Sequence, residues 1–292
     1  MDPIQIVLFV VSGFVIGIFS GLLGIGGGTL MVPVLRLGFA LEAVTASATS
    51  LFTIVFTSIG GTIAHLRNKT ALPKLSLCLG LGGAITSSAG AMLGNMSPGW
   101  AIMLVAAVII AYSAFSMLRK AIKLPKKGKP SGESRPVMTT SDVQDGEQDA
   151  GASTTAAAAS PTVPDWKFTP KLGLAGFGIG LIAGLASGYV GVGGGFIMVP
   201  LMTAWLGVPM HKASGTSLIA ILILAIPGVV TQVCLGNVDY LAGICMAVGS
   251  IPGAMFGARF VTRIPERTLR FVFAAFLGVA AISLLLNELG VF

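Results

Sequence analysis

One phrase occurs twice in this chain of 292 residues. Gly21-Leu-Leu-Gly-Ile-Gly-Gly-Gly-Thr-Leu-Met-Val-Pro33 returns 167 residues later as Gly188-Tyr-Val-Gly-Val-Gly-Gly-Gly-Phe-Ile-Met-Val-Pro200. Each copy interrupts a long uncharged apolar run. A glycine costs a helix about 1 kcal/mol against alanine, so three in a row do not serve helix stability. They permit positive φ and bare the backbone, so that amide N–H groups can face a ligand or a neighbouring helix can come close. The prolines that close each phrase, Pro33 and Pro200, suggest a second, short helix, beginning near Thr29 in the first copy. A broken helix written twice in a strongly apolar chain is the sequence-level pointer to a transporter's binding site.

The class follows from composition. Hydrophobic residues make up 54% and charged residues 10%, and the mean hydropathy is +0.91, where soluble domains carry about 25% charged residues. Uncharged or nearly uncharged runs occupy 4–23, 43–64, 75–97, 100–118, 172–191, 213–238, 240–258 and 271–286. Each is long enough to cross about 30 Å of hydrocarbon as a helix, and none shows the short alternation of a barrel strand. The expected fold is therefore all-α, a polytopic integral membrane protein. The pieces 29–35 and 196–206 are too short to span and read as half-helices, tolerated at membrane depth only when buried in protein or lining a cavity. Run 4–23 has no basic flank and leads straight into the first glycine phrase, so it reads as a retained first helix.

The repeat keeps its register beyond the glycines. Ala46-Ser47 matches Ala213-Ser214, Thr49-Ser50-Leu51 matches Thr216-Ser217-Leu218, and Gly61, Gly82 and Gly90 match Gly228, Gly249 and Gly257. Two homologous halves of about four spans each follow: a first transmembrane repeat at 1–119, a hydrophilic linker at 120–169 and a second repeat at 170–292. The linker opens basic, turns acidic and continues in Ala, Ser, Thr and Pro, a composition that reads as disordered. Its lysines mark the cytoplasmic side. Eight crossings would then put the Arg259–Arg270 loop outside, against that rule. Inverted halves, each with an odd number of crossings, bring it inside and are favoured, with the span count left open.

Chemistry in the apolar phase is confined to backbone and hydroxyls. The carboxylates outside the linker, Asp2, Glu42, Asp239, Glu266 and Glu288, sit at ends of runs, and no catalytic triad or phosphate-loop spacing is present. The Gly24-x-Gly26-x-Gly28 spacing lacks the preceding strand that a nucleotide loop requires. An enzyme is not expected, nor nucleic-acid binding. Cys78, Cys234 and Cys245 have no metal-binding spacing and read as small packing residues, so neither metal nor cofactor is expected. The candidate substrate-binding groups are Gly24, Gly26, Gly27 and Gly28 with their twins Gly191, Gly193, Gly194 and Gly195, and the hydroxyls of Thr49, Ser50, Thr216 and Ser217. Bare amides beside a half-helix N-terminus attract anions; close helix packing is the competing explanation for the same residues. Arg36, His65, Lys212, Gln232 and Arg259 lie near ends of runs, as interfacial anchors or as part of a path or coupling site. Gln232 occupies the position equivalent to His65.

On these residues the chain resembles the sulfite exporter TauE/SafE family of membrane proteins. The resemblance rests on the paired G-x-G-G-G-x-x-x-V-P phrases at Gly24–Pro33 and Gly191–Pro200, the Thr-Ser pairs that follow, and the two-half layout. The resemblance implies transport of a small anion such as sulfite or an organosulfonate, often outward, across the inner or plasma membrane of a prokaryote. The expected partners are that anion and the lipid bilayer; a homodimer is compatible with the sequence. The alternative is a proton-coupled importer of a small organic anion, with His65 as the proton site.

Overall fold

A computed structural model describes residues 3–123 and 170–288. The linker and its charge pattern lie largely outside the described residues. The rest is helical: α1 Pro3–Leu23, α2 Gly28–Pro33 with a π-helical continuation Val34–Gly38, α3 Ala43–Arg67, α4 Pro73–Met96, α5 Gly99–Lys123, α6 Pro170–Val190, α7 Gly195–Trp205, α8 Met210–Cys234, α9 Tyr240–Phe260 and α10 Glu266–Glu288. Eight of these are long and apolar enough to cross a membrane; α2 with its extension and α7 are shorter apolar helices. The chain is a polytopic all-α membrane protein. The helix starts Pro3 and Pro170, Gly28 and Gly195, Ala43 and Met210, Pro73 and Tyr240, and Gly99 and Glu266 are each 167 residues apart.

The halves are interlocked. Helix α1 packs along α9, and α6 along α4. Both pairings are made by glycines whose bare Cα lies on the partner's backbone. Gly13, Gly17 and Gly21 meet Met246, Ser250 and Ala254 in turn, while Gly249, Gly253 and Gly257 meet Val10, Phe14 and Ile18. Gly180, Gly184 and Gly188 on α6 do the same against Leu79, Gly83 and Ser87 on α4. Lipid tails supply no hydrophobic drive for helix association, so small residues that admit backbone contact decide which helices pair. The residue numbers climb together in each pair, so each pair runs parallel.

Hydroxyls attach α3 to the first pair. Thr53 Oγ1 donates to Thr49 O at 2.9 Å and reaches Gly243 O at 3.3 Å, and Thr57 Oγ1 meets Ser250 Oγ at 2.6 Å. Helix α8 joins α4 through close packing instead, with Gly80, Gly83 and Gly228 seated against the side chains of Ile223, Leu224 and Ser87. The result is two parallel bundles, α1–α3–α9 and α4–α6–α8, each drawing helices from both halves. They run in opposite directions: along the α3–α8 seam Gly61 faces Leu218, while Leu51 faces Gly228.

That geometry gathers the charges. The ends of α3, α5, α7 and α9 share one face of the molecule with the starts of α4, α6, α8 and α10. There Lys120 Nζ donates to Pro200 O, Met210 N–H to Glu266 Oε1, and His211 to Ile264 O. Arg67, Lys69, Lys74, Arg119, Lys120, Lys212 and the Arg259–Arg270 cluster all belong to this end; Arg36 is the one described Lys or Arg at the other.

A side chain in the glycine seams should separate the paired backbones. Gly17→Leu or Gly184→Leu is expected to cost about 3 kcal/mol or more through overpacking and to lower the yield of folded protein, whereas Gly178→Leu, whose Cβ faces open space, should not. Thermal unfolding in detergent measures the difference.

Candidate anion site at the meeting of two glycine loops

The two glycine loops touch each other halfway along α3 and α8. Gly24, Gly26 and Gly27 adopt φ of 73°, 85° and 86°, and Gly191, Gly193 and Gly194 adopt 76°, 88° and 68°, values that L side chains rarely reach. Gly28 and Gly195 have ordinary φ and are small for another reason. A Cβ on Gly28 would stand 2.6 Å from the backbone of Val192, and one on Gly195 would stand 2.6 Å from Gly24 O. The mid-helix side chains Ile54 and Ile221 pack over the loops from α3 and α8. Every residue from 21 to 29 and from 190 to 200 is buried.

The loops reverse the chain, and that leaves donors over. Gly24 N–H closes the last turn of α1 on Ser20 O, and Gly191 N–H that of α6 on Ser187 O. Leu30 and Met31 then donate to Gly27 O, and Ile197 and Met198 to Gly194 O, as each short helix begins. Between these points the amides of Ile25, Gly26, Gly27 and Gly28, and of Val192, Gly193 and Gly194, have no hydrogen-bond partner among the described residues. Buried hydroxyls without a partner lie in or beside the same segments: Ser20, Thr29, Ser50 and Ser187. A buried donor left unpaired costs about 1–3 kcal/mol, so this concentration calls for an acceptor. Among the described residues, the buried ones include no Asp, Glu, Lys or Arg, and the two short helices both present their positive ends to the junction.

The remaining candidates separate into distinct roles. Thr49 Oγ1 accepts from Asp239 N–H at 2.9 Å, and its twin Thr216 Oγ1 accepts from Leu72 N–H at 3.0 Å. Each therefore holds the start of the fourth helix of the opposite half. Ser217 Oγ donates to Gly24 O at 2.6 Å, clamping the first loop to α8; Ser50, its twin, is unpaired. His65 is buried, with Nε2 donating to Gly21 O at 2.8 Å and Nδ1 2.7 Å from Thr70 Oγ1. A carbonyl can only accept, so Nε2 carries hydrogen and Nδ1 is free to accept from Thr70. Gln232 Oε1 accepts the matching bond from Asn237 Nδ2 at 2.8 Å. Arg36 Nη1 donates to Leu41 O at 3.2 Å at the far end of the π-helical turn. Lys212 stands half-buried in the first turn of α8, and Arg259 is exposed at the end of α9. Thus the structure brings the eight glycines together with Ser217 and with Ser47, one turn before Ser50, sets His65 at their flank, and leaves Arg36, Lys212, Gln232 and Arg259 at helix ends. Ser20 and Ser187 were missed by motif reading. They are twins at the same spacing, four residues before Gly24 and Gly191, and that match was visible.

Comparison with known proteins agrees with a membrane-transport architecture. A family model described as "Sulfite exporter TauE/SafE" matches residues 9–284. A probable membrane transporter protein of Bacillus subtilis (strain 168), YdhB, is 27% identical over 96% of this chain and 99% of its own. A probable membrane transporter protein of Methanocaldococcus jannaschii is 24% identical over 96% of this chain and 95% of its own. A shorter similarity, 30% identity over 42% of this chain and 29% of the relative, is to sulfite exporter TauE/SafE family protein 5 of Arabidopsis thaliana. No solved structure matches.

The hydroxyls should divide by what they bond. Thr49→Val or Thr216→Val strands a backbone N–H and is expected to cost about 1–3 kcal/mol of stability. Ser20→Ala with Ser187→Ala removes groups that bond nothing among the described residues and should leave thermal unfolding within about 0.5 kcal/mol of the parent.

Proposed function

The chain belongs to the sulfite exporter TauE/SafE family, and on that premise we propose that it carries a small anion, sulfite or an organosulfonate, out of a prokaryotic cell across the plasma membrane. One observation carries the reading: two loops of unpaired amides, with buried unpaired hydroxyls beside them, meet at mid-depth where two short helices present their N-termini. Converging dipoles and N–H donors favour an anion, and a cation would find carbonyls without a counter-charge. No fixed charge is needed, so the bound ion is not held too tightly to leave.

The basic face is cytoplasmic by the positive-inside rule. With α1 and α3 parallel, α2 and its extension return the chain between them. Each half then makes five passes, counting its short helix, and the second half is inverted relative to the first. In this arrangement the Arg259–Arg270 loop shares the end of the molecule that carries Lys120 and Lys171. The bodies that move are the exchanged bundles α1–α3–α9 and α4–α6–α8, because backbone contact makes each one stiff. The seam between them is formed by Leu51, Ile54, Leu218 and Ile221 side chains, which can re-pack.

Coupling to protons is not required. An inside-negative potential drives an anion outward by about 2.3 kcal/mol per charge per 100 mV, and both His65 nitrogens are engaged in structural bonds.

Proteoliposome flux tests this reading. A panel of labelled sulfite, sulfonates and carboxylates should identify a substrate whose equilibrium ratio changes about fifty-fold for 100 mV if it is a monoanion. His65→Gln should transport. Uptake driven by a pH gradient at zero potential and lost in His65→Gln would instead establish proton-coupled import. Cross-linking tests the moving parts, with Cys78, Cys234 and Cys245 replaced by serine. A disulfide between Thr57→Cys and Ser250→Cys, within one bundle, should leave flux intact. One between Leu51→Cys and Gly228→Cys, across the seam, should stop it until reduced.

A further inference from the structure

The pseudo-equivalent flanks of the molecule are not alike. On one, Phe19 of α1 and Phe276 of α10 pack against each other between those helices, with ring centroids 5.2 Å apart and planes tilted by 41°. The positions 167 residues away are Ala186 of α6 and Ile109 of α5. There the smaller side chains leave an open apolar groove of about 610 Å³, bounded by α4, α5, α6 and α7, with Val105, Ile109, Ala186 and Ile197 among its walls. Its rim side chains are turned outward: Tyr112 is 70% and Trp205 68% exposed.

The groove continues into a second hollow of about 280 Å³ through Tyr112 and Ser116, which line both. This hollow belongs to the basic end and is walled by Phe115, Arg119 and Lys120. The Arg119 guanidinium rests over the Phe115 ring at 4.1 Å and makes no other bond to the described residues. Lys120 Nζ donates to Pro200 O and Thr203 Oγ1, at 3.3 and 3.4 Å, which holds the ammonium at the head of the groove. Its third N–H remains available. Arg270 of α10 is ion-paired with Glu266 at 2.6 Å. The other half has nothing comparable at the matching positions, where Leu286 and Asn287 stand in place of Arg119 and Lys120.

We propose that this flank is a binding site for one anionic phospholipid, its phosphate held by Arg119 and Lys120 and an acyl chain lying in the groove beside Ile109 and Ala186. Charge and shape both select that occupant. From Lys120 down to Val105 the groove follows about 22 Å of helix at about 1.5 Å per residue, the depth of about one leaflet with its headgroup layer. A cationic pocket above an apolar slot matches an anionic headgroup above a chain, and anionic lipids enrich the cytoplasmic leaflet. A lipid there would rest on α7, the short helix that leads from the second glycine loop, and so could bias the site without entering it.

Native mass spectrometry of the full chain, released from mild detergent after incubation with phosphatidylglycerol or phosphatidylethanolamine of identical chains, tests the proposal. The parent protein should retain one phosphatidylglycerol in preference to phosphatidylethanolamine by about tenfold, on the scale expected for two cations near a membrane surface. Arg119→Gln with Lys120→Gln, which leaves the apolar walls intact, should abolish that preference while cooperative thermal unfolding is retained. Ile109→Phe with Ala186→Phe, importing the pair that fills the opposite flank, should remove the bound lipid of either kind. Equal retention of both lipids by the parent, or undiminished retention by the filled variant, would overturn the site. A dimer in the parent that becomes a monomer in the filled variant would assign the groove to a second copy of the chain and overturn it equally.

Discussion

Backbone contact between helices of opposite halves is what the rest of the structure rests on. In lipid, an apolar surface gains little by leaving its surroundings, so leucine-rich faces do not by themselves select partners. Glycine does, because removing the side chain lets two backbones approach and multiplies the dispersion contacts between them. The seam glycines of α1, α9 and α6 recur every four residues, and each sits against the backbone of the partner helix. Once those pairs form, the hydroxyl ladder Thr49–Thr53–Thr57 can dock α3, and Thr216 can hold the start of α4. The glycine loops then have one place to go, between the two bundles.

Two uses of glycine therefore coexist, and they answer different demands. In the seams the residue is small; its φ is helical and any side chain would collide. In the loops six of eight glycines have positive φ, and the consequence is a run of amides that no helix can satisfy. The packing and binding explanations for the phrase are not rivals across its length. Gly28 and Gly195 serve contact, Gly26 and Gly193 serve conformation, and the unpaired donors follow from both.

Much of this was legible beforehand, and the reasons are physical. Length and hydropathy mark a membrane helix almost without context, so the eight long helices lie where the apolar runs are. The short helices begin at Gly28 and Gly195, one residue from the starts read from the sequence, because the glycine triplet is a local signal. Partner choice was not legible. Repeat matching equates Thr49 with Thr216 and cannot tell that each is spent on the opposite half's Asp239 or Leu72. His65 and Gln232 read as interfacial anchors or as part of a path, and the sequence did not show their partners; both reach the residue five positions on, Thr70 and Asn237, and finish a helix end. The open groove is invisible to hydropathy as well, because it depends on Ala186 and Ile109 standing where the twin positions carry phenylalanine.

The exchange of helices between halves also sets the order in which the molecule can be made. A ribosome that has just completed α5 has delivered α1 and α4 to the membrane, and neither has yet met its mate. Helix α9 begins at Tyr240 and α6 at Pro170, so at about 5–20 residues per second α1 waits for seconds to tens of seconds with its glycine face against lipid. During that interval the first half is a set of inserted helices without a native core. Each glycine stripe, so suited to its eventual partner, is equally open to the same stripe on another nascent chain. Slow translation, crowding of nascent chains on one message, or a break in the linker would therefore be felt first as mispairing in the bilayer, before any loss of the finished protein's stability.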